Sequence, residues 1–95
     1  MVTHMHVGFK VNNYDRWKEG YDASAEQRKA SGEISFQVFR NVDDPNIVTV
    51  LSVQESAEKV QAFMDSPDIK ARMKAAGVIE LGRMLILEEM DGGTF

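Results

Sequence analysis

The feature that most limits how this chain can fold is the order of its two kinds of hydrophobic pattern. Segments that alternate apolar and polar residues, as half-buried strands do, are separated by segments with the three- and four-residue spacing of amphipathic helices. Over the 95 residues the order is strand, helix, strand, strand, helix, strand. This βαββαβ order is that of the ferredoxin-like split βαβ plan. We therefore predict one α+β domain over residues 1–95, with a four-stranded antiparallel sheet and the helices on one face of it.

The strands are predicted from alternation and from apolar runs. Between Thr3 and Val11, one face carries Met5, Val7, Phe9 and Val11, and the other carries His4, His6, Gly8 and Lys10. A second strand is predicted at 34–39 and a fourth at Leu81–Glu89, followed by a flexible tail at 91–95. The run 47–53 is almost continuously apolar, which is typical of a central strand buried on both faces. The turn 43–46 joins the second strand to this third one.

The helices are predicted from their caps and apolar stripes. Asn12 or Asn13 is a suitable N-cap, and Tyr14, Trp17 and Tyr21 then recur on one helix face. We expect this helix to continue through Arg28 and to end at Gly32. A second helix is predicted to start at 54–56, to be kinked at Ser66-Pro67 and to end at Gly77.

Composition excludes several classes of function. Eleven basic and 15 acidic residues give a net charge of −4 with no basic cluster, so nucleic acid is not an expected partner. The absence of cysteine excludes disulfides and thiolate chemistry. No apolar run has the length of a membrane span, and the first residues do not have the pattern of a signal peptide. We therefore predict a cytoplasmic protein without membrane contact.

The second face of the sheet predicts an assembly. Two helices can cover only one face, yet the predicted strands carry apolar residues on both. The apolar patch left uncovered would be larger than soluble monomers usually expose. A second copy packed sheet to sheet about a twofold axis would bury this patch, so we predict a homodimer.

Four segments of the chain resemble a known group of small bacterial proteins. They are Tyr14-Asp15-Arg16-Trp17-Lys18, Arg28-Lys29-Ala30-Ser31-Gly32, the segment 39–46 (Phe-Arg-Asn-Val-Asp-Asp-Pro-Asn) and Ser66-Pro67-Asp68. The group belongs to the dimeric α+β barrel superfamily and is similar to the antibiotic biosynthesis monooxygenase domain. Its members are often labelled cyclases or left uncharacterised. The resemblance covers nearly the whole chain.

The resemblance implies a homodimer that binds a small hydrophobic molecule. In relatives, a cavity between each sheet and its helices, or inside the joint barrel, holds polyketide-like aromatics, heme or other small organic molecules. Heme-degrading members ligate iron with a histidine late in the second helical region. The segment 55–77 contains no histidine, so heme degradation is not expected here.

The two histidines are candidate catalytic residues. His4 and His6 lie two residues apart, hence on one strand face, and the end of the fourth strand brings Glu88 or Glu89 near them. Imidazoles can act as general bases near neutral pH. Two imidazoles and a carboxylate can also bind zinc, but two histidines at this spacing without a third are a weak metal motif, and we predict no metal site. Their alternative role is structural, at the strand terminus or the dimer rim.

Aromatic and polar residues are the candidate ligand contacts. Tyr21 is predicted to act in acid/base or orienting chemistry and Trp17 to form the wall of a pocket, although a helix stripe that packs on the sheet requires the same residues. Gln37 and Arg83 are strand residues that can hydrogen-bond a ligand. The chain has no phosphate-binding glycine loop and no dinucleotide fingerprint, so we predict no cofactor.

Three functions therefore remain open from the sequence. The first is a cofactor-independent monooxygenase- or cyclase-like enzyme that acts on a hydrophobic aromatic or polyketide-like molecule. The second is a dimeric protein that binds a small ligand without catalysis or is associated with stress. The third is a weak metal-binding module that uses His4 and His6. A cavity with convergent polar groups favours the first.

Overall fold

The computed structural model describes residues 3–95. The elements in chain order are β1 (Thr3–Val11), α1 (Tyr14–Ala23), α2 (Ala25–Ala30), β2 (Glu33–Arg40), β3 (Ile47–Gln54), α3 (Ala57–Asp65), α4 (Pro67–Ala75) and β4 (Val78–Leu87). The strands form one antiparallel sheet in the order β2-β3-β1-β4. The predicted ferredoxin-like plan is confirmed, with each predicted helix present as a pair of shorter helices.

The core lies between one face of the sheet and the helices. On β1 the side chains of Met5, Val7, Phe9 and Val11 are buried, as their alternation predicts. They form one cluster with the two valines Val48 and Val50 of β3, with Trp17 of α1 and with Val60 of α3. Both helical regions therefore pack on this face of the sheet, which we call the inner face.

The first helical region differs from the predicted single helix because it is interrupted at Ser24. The Asn13 side chain caps α1 by accepting a hydrogen bond from the backbone N–H of Arg16 at 3.0 Å. The Ser24 hydroxyl donates to the carbonyl oxygen of Tyr21 at 2.7 Å. A serine hydroxyl that bonds to the preceding turn competes with the helical ladder, and α2 starts at the next residue. Gly32, with a φ of 105°, follows the end of α2 as predicted.

The second helical region is interrupted at Ser66, where the sequence predicts a kink. Ser66 is extended, with φ −61° and ψ 127°, and Pro67 is the first residue of α4. Proline disfavours the helical conformation in the residue before it, which explains the position of the break. The Ser56 side chain caps α3 by accepting from the backbone N–H of Lys59 at 3.1 Å. Gly77, with a φ of 96°, follows α4.

The last strand begins three residues earlier and ends two residues earlier than predicted. Val78 pairs with Val11 and Leu87 pairs with His4, and the register shifts between these two ends. Gly82 lies at this irregularity, where its backbone approaches Gly8 of β1. The bulge interrupts the period-two alternation of β4, so the pattern alone placed the strand too late.

The face of the sheet away from the helices, here called the outer face, is only partly buried in the single chain. Along β3, Val48, Val50, Ser52 and Gln54 are buried, whereas Thr49, Leu51 and Val53 are half-buried. The prediction that β3 is buried on both faces therefore does not hold for one chain, because no helix in residues 3–95 covers its outer side. Phe39 and Leu87 on this face expose nearly half of their surface, 47% and 46%.

None of the helices in the described range, 3–95, is long and apolar enough to cross a membrane. The predicted flexibility of the tail at 91–95 stays a prediction, as does the assignment of the whole chain to one domain.

The close approach of β4 to β1 gives a stability prediction. A Cβ on Gly82 would clash with the carbonyl oxygen of Gly8, so Gly82→Ala must displace one of the two strands. We expect a loss of about 1–3 kcal/mol in the free energy of unfolding, measured by urea titration. Gly93→Ala is the matched control, because a Cβ there meets no described atom within 4 Å. Equal unfolding midpoints for the two variants would contradict the strand contact.

Candidate ligand-binding site

A cavity of about 280 Å³ lies between the inner face of the sheet and the helices. Its walls are mainly apolar and include Met5, Val7 and Phe9 of β1, Trp17 of α1, Val60 of α3 and Ile69 of α4. The cavity exists because the two pairs of helices cover the sheet without closing fully against each other. An apolar cavity lined by a few polar groups is the usual form of a small-molecule site.

Trp17 forms the aromatic wall of this cavity. Its ring centroid lies 5.2 Å from that of Phe9 on the sheet and 4.9 Å from that of Tyr21, with which it is stacked. Trp17 and Tyr21 are four residues apart, so the helix places them on the same face. Trp17 is only 3% exposed, so it is at once a core residue and a wall of the site. Its core role is confirmed, and its contact with a ligand stays a prediction.

One end of the cavity is polar, and we call the four residues Tyr21, Ser24, Arg28 and Glu33 the polar corner. Arg28 on α2 forms an ion pair through its Nη1 with Oε2 of Glu33 on β2. Its Nε donates to the Ser24 hydroxyl at 3.1 Å, and its Nη2 donates to the Tyr21 carbonyl oxygen at 3.0 Å. The two charged side chains of the pair are 8% and 9% exposed. The break at Ser24 thus supplies the hydroxyl that holds the arginine.

The Arg28 guanidinium also packs on aromatic rings. Its Cζ lies 3.7 Å from the ring centroid of Tyr21 and 4.8 Å from that of Phe36 on β2. A cation over an aromatic face is attracted by the ring, more strongly where water is excluded. These contacts hold the Tyr21 ring from one side while Trp17 stacks on it. The orientation of Tyr21 is therefore set by two neighbours.

The Tyr21 hydroxyl is buried and has no hydrogen-bond partner among residues 3–95. Burial, with the nearby charge of Glu33 as a second cause, raises the pKa of Tyr21 well above its usual range. The phenol therefore stays protonated and available as a donor at all ordinary pH values. A buried polar group without a partner costs about 1–3 kcal/mol, so a ligand oxygen that accepts from this hydroxyl would recover that cost.

Arg28 and Glu33 were not among the residues that sequence reasoning selected. Arg28 was assigned to the end of the first helix and to one of the segments that carry the family resemblance, with no role in a site. The signal that could have identified the pair is opposite charge five residues apart across Gly32. After α2 the chain turns at Gly32 and reverses direction into β2. This reversal brings the two side chains together.

The residues selected from the sequence are divided between the two faces of the sheet. Trp17 and Tyr21 line the inner cavity. His4 and Gln37 line a shallow depression on the outer face, together with Glu88 and Glu89. Neither of these two sites includes Arg83, which is exposed on β4.

His6 lies on the outer face between the two neighbouring strands. It pairs with Leu51 of β3 and with Leu85 of β4. Its Nδ1 atom is buried and has no hydrogen-bond partner within the described chain. Across residues 3–95, no group of three His, Cys, Asp or Glu side chains is placed to hold a metal ion.

The chain belongs to the antibiotic biosynthesis monooxygenase family. The model of this family matches residues 13–75, which is more than half of the chain and includes Trp17, Tyr21 and the polar corner. A search of curated protein sequences finds no match.

Solved structures share the fold at low sequence identity. A putative antibiotic biosynthesis monooxygenase from Bordetella bronchiseptica has a TM-score of 0.77 and 14% identity, covering 94% of this chain and 97% of that one. SnoaB from Streptomyces nogalater, a cofactor-independent oxygenase, has a TM-score of 0.74 and 10% identity, covering 96% and 95%. A putative antibiotic biosynthesis monooxygenase from Nitrosomonas europaea has a TM-score of 0.71 and 16% identity, covering 94% and 90%. At these identities the likeness shows the fold.

The polar corner gives a prediction of pH dependence. Burial raises the pKa of Glu33 above 4.5, and the Arg28 guanidinium opposes this only in part. The folded state therefore binds a proton at Glu33 more tightly than the unfolded state does. Stability from this group is complete below pH 4.5 and is lost as the pH rises through the folded pKa.

We expect the difference in free energy of unfolding, wild type minus Glu33→Gln, to decrease as the pH rises above 4.5. Urea titrations at several pH values measure this difference. Glu26→Gln is the control, because it removes one exposed carboxylate from the short helix α2. A difference that increases with pH would show instead that Arg28 holds the pKa of Glu33 below its usual value.

Proposed function

We propose that the protein is a small enzyme that oxidises or cyclises a hydrophobic aromatic molecule bound in the inner cavity, without a cofactor. One observation carries this proposal: Tyr21 lines an apolar cavity, and its buried hydroxyl has no hydrogen-bond partner in the described chain. Membership in the antibiotic biosynthesis monooxygenase family supports the reaction type. The structural similarity to SnoaB, a cofactor-independent oxygenase, is consistent with it.

The cavity residues suit a reaction in which the substrate itself supplies the electrons. An aromatic ketone with an acidic methylene group loses a proton to solvent water before it enters the cavity, and the resulting carbanion passes one electron to O₂. The ketone radical and superoxide then combine to a peroxide, which takes up a proton and loses water to leave a second carbonyl group. Tyr21 would orient such a substrate by donating a hydrogen bond to its ketone oxygen, where the negative charge accumulates. Trp17 would form the wall on which the rings stack. The apolar walls would exclude water from the carbanion.

Oxygen uptake with anthrone tests this activity. Anthrone has a carbonyl acceptor and an acidic methylene group, and its oxidation by one O₂ gives anthraquinone and one water. We expect the purified protein to accelerate oxygen uptake in an oxygen electrode. Tyr21→Phe should reduce kcat/KM about tenfold, the loss expected for one hydrogen bond to developing charge.

Tyr14→Phe is the matched control for this variant. Tyr14 is also on α1 and also contacts Trp17, at 5.9 Å between ring centroids, but it does not line the cavity. Tyr14→Phe should keep wild-type activity. If anthrone binds without accelerated oxygen uptake, the result supports the second function, non-catalytic ligand binding. Equal activity of the two variants would show that the Tyr21 hydroxyl does not contribute to the reaction.

We also propose that a second copy of the chain covers the outer face. The exposed aromatic and aliphatic side chains Phe39 and Leu87 support this assembly, because contact between two sheets would remove them from water. The unpartnered Nδ1 of His6 lies on the same face. In such a dimer the depression with His4 and Gln37 would become part of the joint barrel, which is where a catalytic role of His4 and His6 would be exerted.

Leu51→Asp tests the assembly. Leu51 lies centrally on the outer face, with Gln37 as its partner on β2 and His6 as its partner on β1. A carboxylate there would be buried between two sheets, so we expect a change from dimer to monomer in sedimentation velocity. Ala71→Asp on the exposed side of α4 is the control. A wild-type protein that sediments as a monomer would contradict the dimer.

Two further assignments stay predictions. One is a ligand-binding role for Arg83, and the other is a cytoplasmic location. The metal-binding alternative has no additional support in residues 3–95, where no group of three possible ligands is found.

A further inference from the structure

Each charged side chain that lines the inner cavity has a partner of opposite charge within the chain. Three charged side chains reach it: Arg28, Glu33 and Arg72. Arg28 and Glu33 form the buried ion pair of the polar corner. Arg72 on α4 pairs with Asp68 one turn earlier, at 3.3 Å between Nε and Oδ2. At the buried polar corner, therefore, no charged group is free to pair with a ligand charge, whereas the Arg72–Asp68 pair is exposed at the edge of the cavity.

The guanidinium of Arg28 is further occupied by neutral groups. Beyond the ion pair, it donates to the Ser24 hydroxyl and to the carbonyl oxygen of Tyr21. All three of its nitrogen atoms are thus engaged inside the protein. A carboxylate ligand at the polar corner would also face the Glu33 carboxylate. Such a ligand would lose its hydration and gain no free cation in return.

The polar group that remains available is an uncharged one, the Tyr21 hydroxyl. Among the described residues that line the cavity, the Tyr21 hydroxyl is the buried polar group without a hydrogen-bond partner. A phenol in this state can donate one hydrogen bond and carries no charge. We infer that this hydroxyl serves a neutral ligand as an uncharged donor beside the apolar walls.

We propose that the polar corner makes the cavity select uncharged ligands that carry one acceptor oxygen and reject carboxylates, with Tyr21 as the donor and Glu33 as the residue that excludes anions. This inference rests on the ligand-binding cavity of the proposed function and adds the residues that decide which ligands it accepts. Arg28 acts as a positioning residue, since it holds the Tyr21 ring at 3.7 Å and neutralises Glu33.

Three bicyclic probes of similar size test the selectivity: 1-tetralone, tetralin and 1-naphthoate. They present a neutral acceptor, no polar group and a carboxylate, respectively. Trp17 is the only tryptophan of the chain and lines the cavity. Its indole N–H resonance in a ¹H–¹⁵N NMR spectrum therefore reports binding directly, and titration gives a Kd for each probe.

In the wild-type protein we expect 1-tetralone to bind about tenfold more tightly than tetralin, the difference typical of one hydrogen bond to a buried donor. We expect 1-naphthoate to bind at least about tenfold more weakly than 1-tetralone. In Tyr21→Phe the preference for 1-tetralone over tetralin should fall to about one. Both residues of the Arg28–Glu33 ion pair are unchanged in these measurements.

Glu33→Gln tests the residue that excludes anions. This variant leaves the Arg28 charge uncompensated next to the cavity, so the affinity for 1-naphthoate should rise about tenfold. The ratio of the affinity for 1-tetralone to the affinity for tetralin should stay unchanged. Glu26→Gln makes the same change in net charge at an exposed position of α2 and should leave all three affinities unchanged.

The outcomes separate this inference from the proposed function. Equal affinity of the wild type for 1-naphthoate and 1-tetralone would overturn the exclusion of anions. An unchanged preference for 1-tetralone in Tyr21→Phe would overturn the role of the hydroxyl. In both cases the cavity would still be a ligand site. If none of the probes shifts the Trp17 resonance, the cavity is not a ligand site, and the proposed function fails together with the selectivity.

Discussion

The packing of Trp17 between the helices and the sheet is the contact on which the rest of the structure depends. The indole contacts Phe9 on β1 at 5.2 Å and Tyr21 one turn along α1 at 4.9 Å. It is almost fully buried, and a buried aromatic side chain contributes more apolar area than any other residue type. By holding α1 against the sheet at one side, it also leaves the gap toward α3 and α4 that forms the cavity. Stability and the candidate site therefore share the same residue.

The polar corner shows how a small core can tolerate a buried pair of charges. Taking Arg28 and Glu33 out of water is costly, and burial raises the pKa of Glu33 although the Arg28 guanidinium opposes that shift. The guanidinium is nevertheless well supplied with partners, through the Ser24 hydroxyl, the Tyr21 carbonyl and two aromatic rings. Replacing a buried ion pair by apolar residues of similar volume is often neutral or stabilising, so this pair by itself is weak evidence for stability. It borders the candidate cavity.

The two faces of the sheet have separate roles. The inner face carries the cavity with Trp17 and Tyr21, and the outer face carries His4, His6 and Gln37 on a surface that is only partly buried. A strand with period two assigns neighbouring residues to opposite faces. The candidate residues are thus divided between a cavity within one chain and a surface that the proposed second copy would cover. Candidate residues that are close in sequence, such as His6 and Val7, consequently belong to different environments.

The sequence by itself determined the βαββαβ order, the inner face of β1 and the kink before Pro67, because periodicity and proline geometry act over a few residues. It narrowed the first N-cap to Asn12 or Asn13 and the start of the second helix to 54–56, and the structure selected Asn13 and Ser56. The sequence also indicated Trp17 and Tyr21 as pocket residues through their spacing on one helix face. Only the tertiary structure decided the bulge at Gly82 and the meeting of Arg28 with Glu33. The bulge depends on where β1 lies and the ion pair on where β2 lies, whereas the break at Ser24 is a local feature that the helix pattern did not indicate. The tertiary structure also decided the environment of the Tyr21 hydroxyl. Whether an atom is buried and whether it has a hydrogen-bond partner depend on all the residues around it, including those distant in sequence, so no local pattern predicts either property.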